Sequence, residues 1–318
     1  MAEKVRKEWI DGLRGLAMIV VVYGHCLLSD SYTKWTPYFV FLSPINVAMF
    51  FTISGYLFKH KEGKSAPFFQ YVIRRLFIPW MILGLFPYYN IVERFPKVIA
   101  GDYFWFMTAF IVAEIVWFYI HKYSKSSKQV VAYGLTVAAI GLILYQLGWL
   151  NYGMINRGLT LQYLFVLGYL IRQYESQLMS KLRTFLIPLT LLFICLGIVF
   201  MYFYPQEFYD LHWNRYYFLP LSISIIVLGI LLAFYTFSNF RKIPKWLVYV
   251  GQNTLLIYML HGWGRRLFKV IFYNTNIMPD IPFLFIATFE TIFTCCVCCS
   301  ISFVANKFVP EIVGRKRS

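Results

Sequence analysis

The chain has 318 residues, of which 59% are hydrophobic, 21% aromatic and only 14% charged, and its mean hydropathy is +0.60. Ordinary globular chains carry about 25% charged residues, so the composition excludes a soluble enzyme and a disordered chain. The net charge of +16 would suit a nucleic-acid binder, but membrane topology explains it, and we expect a polytopic membrane protein with no nucleic-acid partner.

Apolar segments long enough to cross a bilayer, which takes about 20 residues, recur along the whole chain. We predict about ten spans in an all-α transmembrane helix bundle, and a single membrane-embedded domain over residues 1–318. The predicted spans are 9–29, 38–58, 76–92, 104–120, 130–150, 159–171, 185–204, 218–237, 247–263 and 283–304.

The loops on the two sides of these spans differ in basic residues. If the N-terminus is cytoplasmic, the loops on the cytoplasmic side contain most of the 30 Lys and Arg residues. The opposite loops contain only Lys34, Arg94, Lys97, Arg157 and Arg215. Because cytoplasmic loops carry such an excess, both termini are predicted to be cytoplasmic.

Three basic residues, Arg265, Arg266 and Lys269, follow the ninth span on the sparsely charged side. We expect the ninth helix to end near Trp263 and residues 264–273 to form an amphipathic segment on the outer surface. The three cations would contact either the phosphate of a lipid-linked glycan or lipid headgroups.

Ionisable side chains within the spans are functional candidates, because each costs several kcal/mol in hydrocarbon. Arg14 and His25 are eleven residues apart, which places them on one face of the first helix about 16 Å apart along its axis. Asp11 precedes Arg14 by three residues, a spacing that lets it pair with the guanidinium. The other candidates are Glu114, His261 and Glu290.

Five short motifs follow one another along the chain. They are WIDGLRGLAMIVVVYGH over residues 9–25, FFTISGYL over 50–57, Arg74-Arg75 through Pro79, WFM over 105–107 and YMLH over 258–261. In this order they resemble the signature of the acyltransferase-3 family of membrane-bound O-acyltransferases, whose first helix has an Arg and a His separated by ten residues. The first motif is most similar to the subgroup that acetylates cell-surface polysaccharides.

The resemblance implies a multi-pass enzyme of the bacterial inner membrane. It would transfer an acyl group, expected to be acetyl, from cytoplasmic acyl-CoA to a hydroxyl of a surface glycan or of its lipid-linked precursor. Arg14 with Asp11, and the pair Arg74 and Arg75, are expected to bind donor phosphates. Relatives space the basic pair by two residues, so either arginine of the adjacent pair here fits the role.

The catalytic residues implied are His25, Glu114 and His261. His25 is expected to act as the general base, since imidazole titrates near neutral pH, either in direct attack on the thioester or through a transient acyl-imidazole. The other residues also fit purely structural roles. Glu114 would be a protonated residue within the bundle, His261 would make a backbone hydrogen bond, and Glu290 would pair with Arg265 or Arg266.

Expected acceptor contacts are Trp105, Tyr258, Arg265 and Arg266. No permanently bound cofactor and no metal is expected, and the CCVCC run at 295–299 is interpreted as small helix-packing residues. An alternative function is a secondary transporter or polysaccharide exporter with a His25, Glu114 and His261 proton relay. Transporters tend to contain internal repeats, and the sequence shows no such symmetry.

Overall fold

The structure is a computed structural model that describes residues 7–28, 39–58, 65–85, 91–203, 219–272 and 283–310. Within these residues the chain forms helices and no β-strand, which confirms the all-α prediction. The α-helices are α1 Glu8–Leu28, α2 Phe39–Leu42, α3 Val47–Leu57, α4 Ser65–Val72, α5 Ile78–Leu85, α6 Ile91–Ala100, α7 Trp105–Tyr123, α8 Ser127–Gln146, α9 Ile155–Thr160, α10 Gln162–Gln173, α11 Glu175–Thr184, α12 Leu186–Phe203, α13 Pro220–Ser238, α14 Lys245–Gln252, α15 Thr254–Phe272 and α16 Phe283–Phe308.

In the described part of the chain, six helical segments are long and apolar enough to cross a membrane. They are Glu8–Leu27, Ser65–Leu85, Ser127–Gln146, Leu186–Phe203, Pro220–Ser238 and Leu284–Phe308. A seventh span is formed if α6 and α7, which meet at a bend of 55°, are taken together. The chain is a multi-pass membrane protein, as its composition predicts, while the count of ten and the position of the termini remain predictions.

The helices divide into two compact groups. Group 1 comprises Met1–Phe50 and Ser176–Phe303, and group 2 comprises Phe51–Glu175 and Val304–Ser318. The single domain over 1–318 remains a prediction.

In group 1, α1 is largely buried because α14 packs against it backbone to backbone. Gly15 of α1 faces the Leu247 carbonyl, and Gly251 of α14 faces the Asp11 carbonyl, so closely that a Cβ at either glycine would overlap these atoms. Small residues permit this approach between membrane helices. The contact holds the N-terminal half of α1 in place.

The predicted span 247–263 is not one helix. It is interrupted between α14 and α15 at Asn253, whose φ of −116° and ψ of 18° are not helical. The Asn253 amide donates to the Tyr249 carbonyl at 2.8 Å, so this side chain satisfies a carbonyl at the end of α14.

The predicted helix end near Trp263 is wrong, because α15 continues without a break to Phe272. Packing against α16 is the reason. Gly264 lies against Thr294, and the fully buried Phe268 meets the ring of Phe293 with centroids 5.5 Å apart. Residues that carry such internal contacts belong to the bundle and not to a surface segment.

Group 2 is held together by aromatic side chains. Phe51 meets Phe106, Phe110 and Phe165 edge-on, with ring centroids 5.7, 5.3 and 5.9 Å apart. Trp117 adds a contact to Phe165 at 5.6 Å. Aromatic pairs in this arrangement contribute about 0.5–1.5 kcal/mol each beyond the area they bury, and they connect α3, α7 and α10.

A π-helical turn over Ile73–Phe77 joins α4 to α5, and at its end the Ile78 N–H donates to the Ile73 carbonyl. Pro79 gives a physical reason for the wider turn. A proline lacks the N–H that an α-helix needs, and its ring clashes with the carbonyl four residues earlier, which here belongs to Arg75. Widening the preceding turn relieves that clash.

Candidate active site

The imidazole of His25 is an accessible group near the end of α1. Its neighbours Val22, Gly24 and Cys26 are buried, whereas the His25 side chain is exposed. A general base has to come within hydrogen-bonding distance of the proton that it removes. The exposed His25 ring is open to such an approach, and its role as the base remains a prediction.

A second imidazole lies beside the first. The ring centroids of His25 in α1 and His261 in α15 are 4.8 Å apart, and the ring planes are inclined at 37°. The sequence placed these residues in separate motifs at opposite ends of the chain. Folding of group 1 brings them into contact.

The protonation of the His261 ring follows from its hydrogen bond. Nδ1 lies 2.6 Å from the Tyr258 carbonyl oxygen, which can only accept, so Nδ1 carries the proton and donates. In the neutral ring Nε2 is then the acceptor. The backbone hydrogen bond expected as an alternative role for His261 is therefore present, and it also orients the ring next to His25.

A buried ion pair flanks the two imidazoles. The Nε atom of Arg265, one turn after His261, donates to Oε1 of Glu290 in α16 at 3.0 Å. The exposed fraction is 16% for the Arg265 side chain and 1% for that of Glu290. The pairing expected for Glu290 is thus confirmed, with Arg265 as the partner.

Cys26 completes this cluster. Its buried thiol lies close to the side chains of Arg265 and Thr291. We call His25, His261, Arg265, Glu290 and Cys26 the imidazole site. Sequence analysis had not selected Cys26 or Thr291, although each directly follows a residue that it did select.

Three of the predicted acceptor residues lie on α15, and Arg265 of the imidazole site is one of them. Tyr258 is buried, and its ring centroid is 5.9 Å from that of His261. Arg266 is exposed, and its guanidinium lies 5.2 Å from the centroid of the Trp263 ring. Of the two adjacent arginines, Arg265 therefore pairs with Glu290 and Arg266 lies on a tryptophan.

Near the start of α1, Arg14 and Asp11 form the ion pair that their spacing predicts. An Nη1 to Oδ1 distance of 4.0 Å joins them, and the exposed fraction is 30% for the Arg14 side chain and 4% for that of Asp11. Asp11 therefore holds the guanidinium from the buried side and leaves part of it accessible. Donor binding by Arg14 remains a prediction.

The other predicted site residues belong to group 2. Trp105 is the first residue of α7, and the guanidinium of Arg157, in α9, lies 5.6 Å from its ring centroid. The buried Nε of Arg157 has no hydrogen-bond partner among the described residues. Glu114 is buried in the middle of α7.

Arg157 was not selected from the sequence as a site residue. Its only signal there was its rarity, as one of the few basic residues in the loops assigned to the outer side. Its position over Trp105 depends on the packing of α9 against α7.

Arg74 and Arg75 both lie on the π-helical turn and both are exposed. The Arg75 guanidinium is 5.6 Å from the centroid of the Tyr71 ring, so its orientation is tied to the preceding turn of α4. Both arginines are accessible cations, and donor binding by either of them remains a prediction.

The imidazole site has the parts needed for acyl transfer. A neutral, accessible imidazole accepts a proton from a hydroxyl, and a second imidazole and a paired guanidinium lie beside it. A family model for an acyltransferase domain, acyltransferase-3, matches residues 7–303, a range that contains the imidazole site.

The chain belongs to the acyltransferase-3 family. The match includes the whole imidazole site, together with Arg14, Arg74, Arg75, Trp105 and Arg157. The family predicted from the five motifs is therefore confirmed, and the chain is an acyltransferase. No curated protein and no solved structure matches this acyltransferase.

Proposed function

We propose that this acyltransferase transfers an acetyl group from cytoplasmic acetyl-CoA to a hydroxyl of a cell-surface glycan or of its lipid-linked precursor. The enzyme would lie in the bacterial inner membrane with both termini in the cytoplasm. The observation that carries the proposal is the contact between the accessible His25 ring and the His261 ring, at a centroid distance of 4.8 Å, within a family of acyltransferases.

The donor would be held by cations on its phosphates. Arg14 is a candidate because Asp11 fixes the guanidinium while leaving part of it accessible. Arg74 and Arg75 are further candidates because both are exposed on one turn. Each contact is a charge-assisted hydrogen bond of the kind that arginine makes with phosphate.

His25 would act as the general base. It takes the proton of the sugar hydroxyl while the hydroxyl oxygen forms a bond to the thioester carbonyl carbon. The resulting oxyanion collapses, the carbon–sulfur bond breaks, and the CoA sulfur leaves with the proton held by His25. The His261 ring, fixed through Tyr258, keeps the His25 ring in place.

An acyl-imidazole is the second route that His25 allows. In that route the lone pair of a ring nitrogen of His25 attacks the thioester carbon, the carbon–sulfur bond breaks, and CoA leaves as the thiol with the proton of the acyl-imidazolium. The sugar hydroxyl then attacks the acyl-imidazole, the carbon–nitrogen bond breaks, and the hydroxyl proton returns to His25. The routes differ in one respect that can be measured. Only the second leaves a label on the protein when the acceptor is omitted.

Acceptor binding would involve Trp105, since aromatic rings stack on sugar rings. The cation of Arg157 above it would hold the indole in position. Arg266, exposed on α15, is the candidate for a phosphate of a lipid-linked acceptor.

The test uses the full chain in proteoliposomes with [14C]acetyl-CoA. The acceptor probes are octyl glycosides of glucose, galactose, mannose and N-acetylglucosamine, and the control probe is the fully methylated octyl glucoside, which has no free hydroxyl. We expect label on at least one glycoside and none on the methylated control. With His25→Ala, donor binding should persist while transfer falls by at least about 100-fold, the contribution typical of a positioned base.

His121→Ala is the matched control for loss of a histidine, because His121 lies in group 2 on α7 and outside the imidazole site. Its transfer rate should stay near that of the wild type. Transfer by His25→Ala at the wild-type rate would remove His25 from catalysis and the proposal with it.

A further inference from the structure

The imidazole site contains more charge than a general base requires. A buried glutamate in the membrane-spanning helix α16 and a largely buried arginine beside it are expensive, since each must leave water. Two histidines would suffice to hold and orient a base. The ion pair between Arg265 and Glu290 therefore needs a reason of its own.

The ion pair with Glu290 occupies only part of the Arg265 guanidinium. Nε donates to Glu290 at 3.0 Å, and four further N–H groups of the guanidinium remain. Arg265 follows His261 by four residues on α15, so both side chains lie on one face of that helix, and the His261 ring contacts the His25 ring at a centroid distance of 4.8 Å. A carbonyl bound beside His25 would therefore lie near the guanidinium.

We propose that Arg265 is a catalytic residue that stabilises the negative charge on the acyl carbonyl oxygen, and that Glu290 is a positioning residue that holds its guanidinium. This inference rests on the proposed acetyl transfer. When the sugar oxygen bonds to the carbonyl carbon, the carbonyl π electrons move onto oxygen, and a guanidinium N–H donates to that oxyanion. When the carbon–sulfur bond breaks, the electrons return and Arg265 is unchanged.

Charge balance favours this role over binding of a phosphate. Glu290 neutralises the Arg265 guanidinium at a hydrogen-bonding distance of 3.0 Å, whereas Asp11 lies 4.0 Å from the more exposed Arg14, so the Arg265 pair attracts a phosphate more weakly in the ground state. A hydrogen-bond donor that a carboxylate already holds in place instead interacts more strongly as negative charge develops on the carbonyl oxygen. Preorganised hydrogen-bond donors lower a reaction barrier in this way. Arg266, exposed and lying on Trp263, is better placed for a phosphate.

The test compares four variants in the labelled acetyl-CoA assay, using the octyl glycoside that the wild type acetylates best. They are Arg265→Gln, Glu290→Gln, the double variant, and Arg183→Gln as a matched control on the exposed side of α11. Single-turnover transfer, acetyl-CoA affinity and resistance to SDS unfolding are measured for each. The double variant is the decisive one, because two amides can keep a neutral hydrogen bond and so preserve the fold.

We expect the double variant to resist SDS as well as the wild type, to bind acetyl-CoA with unchanged affinity, and to lose about 100-fold in single-turnover rate, the usual effect of removing one oxyanion donor. Glu290→Gln should lower the rate less than Arg265→Gln, because it leaves the guanidinium in place but misaligned. Arg183→Gln should match the wild type throughout.

Two results would overturn the inference, and they are distinguishable. If the double variant transfers acetyl at the wild-type rate, the ion pair is only a packing contact, and the proposed function stands without it. If the wild type labels none of the four glycosides, the proposed acetyl transfer to glycans is wrong and the role of Arg265 in it is lost as well.

Discussion

Gly251 of α14 lies directly against the backbone carbonyl of Asp11 in α1, with the Gly15 amide nitrogen next to that carbonyl. We predict that Gly251→Ala forces the two helices apart, because the added Cβ would overlap backbone atoms that have no rotamer to change. Overpacking of this kind costs about 1–3 kcal/mol. SDS unfolding of the purified protein measures the loss, and donor affinity should fall with it because Asp11 and Arg14 move.

Gly262→Ala is the matched control for this substitution. Gly262 is also helical, but a Cβ added there meets nothing within 4 Å. Alanine is about 1 kcal/mol more favourable than glycine in a helix interior, so Gly262→Ala should be neutral or slightly stabilising. Equal destabilisation by both substitutions would show that the contact between α1 and α14 is looser than described.

The role of His261 can be separated into its backbone hydrogen bond and its ring. In His261→Asn, the amide nitrogen can occupy the place of Nδ1 and still donate to the Tyr258 carbonyl. We predict unchanged resistance to SDS and a kcat lowered by about 10-fold or more, because the ring that keeps His25 aligned is lost and small misplacements are costly. A wild-type kcat would mean that the backbone hydrogen bond is the whole function of His261.

Arg14→Ala should weaken donor binding through the phosphates of the donor. Hydrogen bonds to charged groups contribute about 1.5–3 kcal/mol, so we predict that the Kd of acetyl-CoA rises by at least about 10-fold. S-acetylpantetheine lacks the nucleotide and its diphosphate, and its Kd should not change. Equilibrium dialysis with both labelled thioesters gives the comparison, and an equal loss for both would assign Arg14 to the fold.

The π-helical turn leads to a prediction about the basic pair. In Pro79→Ala the N–H is restored and the clash with the Arg75 carbonyl is removed, so the turn over Ile73–Phe77 should relax to an α-helix. One residue of helical rotation is about 100°, which re-aims Arg74 and Arg75 relative to α5. We predict that the Kd of acetyl-CoA rises by about 10-fold, as for loss of a charged hydrogen bond.

Pro188→Ala provides the control, since Pro188 stands in the first turn of α12. A proline there removes no hydrogen bond that the helix needs, and donor affinity should be unaffected. If Pro79→Ala also binds acetyl-CoA normally, neither arginine of the turn contacts the donor.

The sequence predicted well whatever depends on spacing within one helix or on a local motif. The pairing of Asp11 with Arg14 follows from a separation of three residues, and the backbone hydrogen bond of His261 is likewise made within a single turn of helix. The order of the motifs was enough to predict the family.

Hydropathy along the sequence does not predict features that depend on packing between helices. Arg265 and Arg266 lower the average hydropathy of α15 and suggested that the helix ends near Trp263. In the structure α15 continues past Trp263, because Glu290 in α16 compensates the charge of Arg265. The place of Arg157 above Trp105 has the same origin, since no local pattern tells which ring a distant cation will meet.

The pair of Trp105 and Arg157 gives the last prediction. If Trp105 stacks on the acceptor sugar, Trp105→Ala should raise the KM for the octyl glycoside and leave the Kd of acetyl-CoA unchanged. Arg157→Gln should raise the same KM, because the guanidinium 5.6 Å from the ring centroid no longer holds the indole. A cation–π contact contributes about 0.5–2 kcal/mol, which corresponds to a rise of about 2- to 30-fold.

A double-mutant cycle decides whether the two residues act together. When both contribute through one contact, the effect of the double variant on KM is smaller than the product of the single effects, since each substitution already breaks that contact. Trp149→Ala is the matched control, because Trp149 also lies in group 2 but is exposed at 63% and outside the proposed site, so its KM should equal that of the wild type. If the effects of the two single substitutions on KM simply multiply, Arg157 does not act by holding the Trp105 ring, and the proposed support of the indole by the guanidinium is wrong.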